Sequence, residues 1–365
     1  MLILYVFFGI SLLYLVKIVL FYTGARRASA RIENKERPSV SLIVAARNEE
    51  DNIDVCLSSL AAVSYSGDLE IIVVDDQSTD GTTEIIQRWV DRIPHMRMMK
   101  PEGIVNGLRG KANAIAQAIE KSSGDIVLTT DADCTVPIAW VERMVEQYDE
   151  GTGCVCGFTL IKSRGIFSGM QSLDWAYLLT IASAGVGWGY TLSAVGNNMS
   201  YRRAAYEEVG GYKGVGFSVT EDFALLNAIA YTTAWNVRYP MEASTLVWSE
   251  PCPDMRELYR QKKRWGKGGV DIHPVGFGIM SIGFLMSAAI LLLPWLGLPL
   301  WALGCGLAAK CCGDAFLLSL PLKTFSQRHL YRYFAAFELY YLLYVVTLPF
   351  VVLFAGRVVW KDRKL

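Results

Sequence analysis

The chain has 365 residues, with 35 basic and 35 acidic side chains and a 52% share of hydrophobic residues. Zero net charge excludes a general polyanion-binding surface, so nucleic acid is not an expected partner. The hydrophobic excess lies at the two ends, which leaves one central domain of about 250 residues between membrane segments.

Residues 1–23 predict an N-terminal transmembrane helix. Met1 to Tyr22 is apolar except for Lys17, long enough for a hydrocarbon core of roughly 30 Å, and lacks a small-residue cleavage site. Arg26, Arg27, Arg31, Lys35 and Arg37 follow directly, and basic flanks stay on the cytoplasmic side. The expected arrangement is therefore an integral protein of the cell inner membrane with a cytosolic domain at residues 38–250. The eight cysteines show no Cys-x-x-Cys spacing and predict reduced, structural thiols. In a cytosolic domain the sequon Asn198-Met-Ser200 never meets the glycosylation machinery.

The domain opens with Pro38 to Ala46, an apolar run that predicts a buried strand and ends at Arg47-Asn48-Glu49-Glu50. Apolar residues at Ile53, Leu57 and Leu60 predict a helix over Asn52 to Leu60. Leu69 to Val74 reads as a second strand, followed by Asp75-Asp76-Gln77-Ser78-Thr79-Asp80-Gly81-Thr82. Strand, helix, strand at these lengths is a βαβ unit with a parallel sheet. Ser78 and Thr79 are candidate caps for a helix over Thr83 to Val90, and Asp80-Gly81-Thr82 reads most simply as a turn and helix start. A short strand at Arg97 to Lys100 and a helix at Lys111 to Lys121 lead to Ile126-Val-Leu-Thr-Thr130, a strand that runs directly into Asp131-Ala-Asp133.

Ligands of open α/β sheets bind at the carboxyl ends of the strands, where Asn48, Glu49, Asp75, Asp76, Asp131 and Asp133 are expected to gather. Clustered carboxylates repel unless a cation sits among them, and two of them two residues apart at a strand end can hold one hard divalent ion. Asp76 is suited to hydrogen bonds from a base or ribose.

Gly165 to Tyr190 contains a single charged residue, Asp174. A membrane crossing there would separate Asp131 and Asp133 from the later Glu221 and Asp222, so the stretch is expected to lie against the bilayer, with Ala184 to Gly189 as a mobile loop. Glu221-Asp222 opens a helix over Phe223 to Tyr231. As helix-start charges the pair contributes under about 1 kcal/mol; as a base, a carboxylate there could take a proton from an attacking hydroxyl.

Residues 251–273 predict an amphipathic interfacial segment in which Arg256, Arg260 and Lys262 face lipid headgroups. Residues 275–356 predict two or three further spans, with a break near Pro294 to Pro299. Residues 357–365 form a basic tail. Three spans would put Arg357, Lys361, Arg363 and Lys364 outside, against the positive-inside tendency, and a re-entrant or interfacial segment would relieve that conflict. Lys310, Asp314 and Glu338 are too sparse for a transporter pathway.

In this order, Arg47-Asn48-Glu49, Asp75 to Thr82, Gly110-Lys111-Ala-Asn113-Ala, Asp131-Ala-Asp133, Thr220-Glu221-Asp222 and Gln261-Lys-Lys-Arg264-Trp265 resemble the family 2 inverting glycosyltransferases. The last motif resembles the Gln-x-x-Arg-Trp signature of the membrane-embedded cellulose, hyaluronan and chitin synthases and ceramide glucosyltransferases. The resemblance implies an α/β, Rossmann-like nucleotide-diphospho-sugar transferase domain of GT-A type. It implies donor binding, UDP-linked in the expected case, by Ala45, Arg47, Asn48, Glu49, Asp76, Lys111, Asp131 and Glu221, with Mg2+ or Mn2+ on Asp131 and Asp133. It makes Asp222 the base, sets Arg264 on the diphosphate and Trp265 at the acceptor, and includes Gln261 in the catalytic group. The tail from Gly356 to Arg363 resembles membrane glycosyltransferases acting on lipid-linked acceptors. The expected reaction is a single transfer to a lipid or glycan acceptor, with a processive polysaccharide synthase and an inactive membrane scaffold as the alternatives.

Overall fold

The structure, a computed structural model, describes residues 1–30, 32, 34–269, 273–297, 299–354, 356, 359, 360, 363 and 364. Arg31 of the basic flank and Arg357 and Lys361 of the tail lie outside the described residues. The chain forms two compact units, one of residues 30–160, 194–250 and 357–365 and one of residues 1–29, 161–193 and 251–356. The stretch 161–193, inside the expected domain 38–250, thus belongs with the helices, because its apolar side chains find their packing partners there.

The first unit is built on strands β1 (Val40–Ala46), β2 (Leu69–Asp75), β3 (Met96–Met99), β4 (Ile126–Asp131), β5 (Cys134–Thr135), β6 (Thr152–Cys156), β7 (Thr159–Ile161), β8 (Met199–Arg202), β9 (Asn236–Arg238) and β10 (Val247–Ser249). Seven of them form a sheet in the order β3-β2-β1-β4-β8-β6-β9, and β5, β10 and β7 form a second one. β1, β2 and β4 are near-continuous apolar runs because a parallel strand is covered on both faces. Helices Ile53–Ala61, Thr82–Val90 and Gly110–Glu120 are the crossovers that parallel pairing requires.

Register aligns the ends of the three strands: Ala46 lies opposite Asp75, and Ala45 opposite both Val74 and Asp131. Chain order reverses between β1 and β4, so the carboxyl edge there is the topological switch point where α/β sheets bind ligands. β8 runs antiparallel to β4, and β6 antiparallel to β8. Asn198, the sequon asparagine, is fully buried and donates to the carbonyls of Phe158 and Thr245 at 2.7 and 2.8 Å.

In the other unit, four helices among the described residues are long and apolar enough to cross a membrane: Leu2–Ala28, Pro274–Leu292, Leu300–Thr324 and Arg328–Phe354. The Ala184 to Gly189 stretch is not a loop as far as Gly187. It is the last turn of helix Ile166–Gly187. Small residues serve close helix packing here: a Cβ on Gly187 would lie 2.0 Å from the Gly24 carbonyl oxygen, and one on Gly24 2.6 Å from that of Ala184. The Trp188 indole then donates to Leu20 O at 2.8 Å, with Arg27 4.4 Å above its ring.

Lys310, Asp314 and Glu338 are gathered into one cluster. The Lys310 ammonium pairs with Asp314 Oδ2 at 2.7 Å and Glu338 Oε2 at 2.6 Å, while Tyr14 and Tyr177 donate to Asp314 Oδ1. Lys310 and Asp314 are almost wholly buried. Removing one partner of a buried pair strands the other charge, at a cost of about 3–5 kcal/mol. Lys310→Met is therefore expected to lower the unfolding temperature of the purified protein in detergent, and an unchanged midpoint would show the cluster to be dispensable.

Candidate active site

The loops after β1 and β2 are stitched together by their own side chains. Asn48 N donates to Ser78 Oγ at 3.1 Å, Thr79 N to Asn48 Oδ1 at 2.8 Å, and Glu49 N to Thr82 Oγ1 at 2.8 Å. Arg47 Nη1 donates to the carbonyls of Asp76 and Gln77 at 2.8 and 3.3 Å. Arg47 and Asn48 thus shape the Asp76 loop. Ser78 and Thr79 do not cap the next helix: its N-cap is Gly81, and both residues face Asn48 instead, whose left-handed backbone (φ 52°) turns its side chain to them.

Asp75 and its neighbour differ in use. Asp75 is fully buried, and its carboxylate accepts from Ser78 N at 2.9 Å and Thr83 Oγ1 at 2.6 Å. Burial pushes its pKa up, but these hydrogen bonds outweigh burial and hold it below the usual carboxylate range. It is a structural anchor. Asp76 is 5% exposed, and its N–H is fixed on Ala46 O at 2.8 Å.

Lys111, at the start of helix Gly110–Glu120, connects two parts of the site. Its ammonium pairs with Asp131 and lies 3.8 Å from Glu221 Oε1. Burial depresses its pKa, but the charges of Asp131, Glu221 and Asp222 more than reverse this, so it stays protonated. Asp222 Oδ2 accepts from Gly196 N at 2.6 Å, and Oδ1 from Phe223 N at 2.8 Å. The Gly196 carbonyl in turn accepts from Thr129 Oγ1 at 2.7 Å, two residues before Asp131 on β4. Asp131, Lys111, Glu221 and Asp222 therefore share one location, tied to the end of β4. A Cβ at 196 would sit 3.1–3.5 Å from three Asp222 atoms, so a larger residue there would press on the Asp222 side chain.

Asp133 Oδ2 accepts from Ser249 Oγ at 3.2 Å and Oδ1 from the Cys134 thiol at 3.3 Å. Burial, then the charges of Asp131 and Glu49, raise its pKa to about 6. Among the described residues no group of three or more His, Cys, Asp or Glu is arranged to hold a metal ion. Two hard oxygen donors that repel each other suit a divalent ion, and Asp131 and Asp133 would be the residues to hold one. Ala45 is a half-buried residue of β1 opposite Asp131.

Gln261, Arg264 and Trp265 lie in the helical unit, on the amphipathic helix Met255–Gly268, whose N-terminus is capped by Asp254 accepting from Glu257 N at 2.9 Å. Lys262 is not a lipid-facing charge. It is 4% exposed and paired with Asp174. Arg37 is also spoken for, by Glu142 at 2.6 Å and Glu146 at 3.3 Å.

The sequence pattern of glycosyl transferase family 2 matches residues 41–210, and that of glycosyl transferase family group 2 matches residues 126–356, more than half of the chain. The chain belongs to this family. Among curated relatives it is 28% identical over 247 residues to a probable glycosyltransferase, YdaM, of Bacillus subtilis, covering 64% of this chain and 56% of that protein. It is 27% identical over 245 residues to a poly-beta-1,6-N-acetyl-D-glucosamine synthase of Staphylococcus aureus, covering 65% and 56%. The chain thus spans little more than half the length of these relatives. A mannosyltransferase from Pyrobaculum calidifontis, solved with GDP-Man and Mn2+, superposes with a TM-score of 0.62 at 21% identity over 96% of this chain and 99% of that one. The fold is therefore the GT-A type α/β fold of nucleotide-sugar transferases.

Three residues of this candidate site escape a motif reading. Gly196 carries a signal in Val195-Gly196-Asn197-Asn198, a small-polar turn inside an apolar region. Thr129 looks like any β-branched strand residue, and Ser249 reaches Asp133 from 116 residues away.

Proposed function

We propose that the protein is an inverting, metal-dependent membrane glycosyltransferase that moves a sugar from a nucleotide-diphospho-sugar to a lipid or lipid-linked acceptor. The observation that carries this reading is the linked set Asp131, Lys111, Glu221, Asp222 and Gly196 at the carboxyl edge of a GT-A sheet. Asp76 and the loop braced by Arg47 and Asn48 take the nucleoside. Lys111 sets a permanent positive charge beside Asp131 and Glu221, where a diphosphate needs one. Bound Mg2+ or Mn2+ supplies Lewis-acid charge to the leaving diphosphate, and Asp131 and Asp133 hold it.

Asp222 takes the proton of the acceptor hydroxyl as that oxygen bonds to the anomeric carbon and the bond to the diphosphate breaks. Its two backbone donors, Gly196 N and Phe223 N, fix the carboxylate's direction. For Gln261, Arg264 and Trp265 the proposal rests on the Gln-x-x-Arg-Trp signature and its chemistry: a guanidinium grips phosphate bidentately, and an indole face stacks on a sugar or lipid. The four long apolar helices and the basic residues Arg26, Arg27 and Lys35 support a membrane protein with a cytosolic domain.

The relation to a poly-N-acetylglucosamine synthase supports a second reading, a processive polymer synthase. One experiment separates the two. Membranes carrying the full chain are incubated with labelled UDP-N-acetylglucosamine, UDP-glucose or GDP-mannose, with and without EDTA. The leading reading expects EDTA-sensitive label in the organic phase, and the second expects it in an insoluble polymer. Absence of label from every donor, or label indifferent to EDTA, would sink the metal-dependent transferase.

A further inference from the structure

We infer that Asp174 is the positioning residue of the Gln261–Trp265 segment. It is the one charged residue in the apolar stretch 165–190, and it is 3% exposed. Its carboxylate pairs with the ammonium of Lys262, one of the two unspecified positions of Gln-x-x-Arg-Trp. Lys262 in turn lies 4.3 Å from the ring centroid of Trp265 and 5.2 Å from that of Tyr344. Next to Asp174, Trp175 meets Trp265 edge to face, with centroids 5.3 Å apart and planes at 66°. One turn earlier, Gln171 donates to Cys252 O at 3.1 Å and accepts from Cys252 N at 2.9 Å, fixing the chain just ahead of the helix that carries the motif.

Residues 171, 174 and 175 are spaced i, i+3, i+4 and so present one face of helix Ile166–Gly187. Residues 262 and 265 are one turn apart on the receiving helix. The grip is therefore two-pronged, an ion pair and an aromatic pair. A buried ion pair is a poor source of stability, since well-packed apolar residues of the same size do as well or better. What it adds is direction: an ammonium held by a carboxylate on one side and stacked under two rings on the other fixes the Trp265 indole, and with it the turn that carries Arg264. Hydrophobic packing alone leaves such a helix free to rotate or slide by a fraction of a turn.

The inference rests on the reading of Gln261, Arg264 and Trp265 given above. The test uses the full-length protein in detergent and the labelled donor that its membranes incorporate. Asp174→Asn is expected to lower kcat about 10- to 100-fold, the cost of displacing a catalytic group by about an ångström. The charge-exchanged variant Asp174→Lys with Lys262→Asp is expected to recover much of the lost kcat. Intrinsic fluorescence and gel filtration give the folded fraction, and kcat is expressed per folded molecule. A loss confined to the folded fraction, with kcat per folded molecule intact, would overturn positioning in favour of a purely structural pair. So would failure of the exchanged variant, if folded, to regain activity. Arg264→Ala is measured alongside. If it loses activity while Asp174→Asn does not, the positioning inference alone fails. If Arg264→Ala is itself fully active, the functional reading of the motif fails and the inference falls with it.

Discussion

Asp222→Asn lowers the rate of sugar transfer by about 10²- to 10⁴-fold, the range a positioned general base contributes. The substitution keeps the volume of the side chain and leaves an oxygen for one of the two backbone donors, Gly196 N or Phe223 N. It removes the basic oxygen and turns an N–H toward the other donor, which costs roughly 1–3 kcal/mol locally. That cost lowers stability and is expected to leave donor affinity unchanged, because the proposed nucleotide site lies at the ends of β1, β2 and β4. The alternative role of Asp222, charge compensation at the start of helix Glu221–Thr232, makes a different forecast: under about 1 kcal/mol of stability and an unaltered kcat. Steady-state kinetics with saturating donor, paired with thermal unfolding, separates the two. A kcat within a few-fold of the parent would remove Asp222 from the chemistry.

The sheet edge is legible in the sequence because parallel strands advertise themselves. β1, β2 and β4 are apolar runs that break abruptly into polar residues, and the break marks the carboxyl end. That Asp75 and Asp76 lie within one or two residues of the level of Asp131 follows from the parallel register of β2 and β4 on β1. The division of labour within that edge is not legible. Asp75 and Asp76 are neighbours in sequence, yet Asp75 is the last residue of β2 and its carboxylate is taken up by Ser78 and Thr83.

The helices reverse the pattern, since hydropathy finds them easily and says little about what their few charges do. Lys310, Asp314 and Glu338 look sparse along the chain, but folding collects them into one ion-paired cluster. Lys262 reads as a lipid-facing lysine of a basic helix until Asp174, 88 residues earlier, supplies its partner. Glycines mislead in the same way. Gly185 and Gly187 suggest a loop by composition, whereas a neighbouring backbone at van der Waals contact demands the absence of a side chain in a regular helix. The contacts Lys262–Asp174, Lys310–Glu338 and Gly187–Gly24 are long-range, and local propensity carries no information about them.

Asp133→Asn is expected to weaken divalent-metal binding by more than the roughly 10- to 100-fold that loss of an outer-shell partner costs a metal site. The two carboxylates are not equivalent. Asp131 is already neutralised in part by Lys111, whereas Asp133 is met by a hydroxyl and a thiol, and its proton affinity is raised by burial and by Asp131 and Glu49. A carboxylate in that position gains more from a bound cation than one with an ammonium at hand. The amide introduced by Asp133→Asn matches the carboxylate in shape but not in charge: it keeps an acceptor for Ser249 and removes the repulsion from Asp131 and Glu49. The metal-free protein should then unfold at the same temperature or higher, while Mn2+ binding followed by electron paramagnetic resonance weakens and transfer requires far more added metal. Opposite signs for stability and metal affinity are what distinguish a ligand from a structural aspartate, whose loss would lower stability and leave Mn2+ binding alone. Unchanged Mn2+ affinity in the variant would take Asp133 out of the metal site and leave Asp131 without its partner.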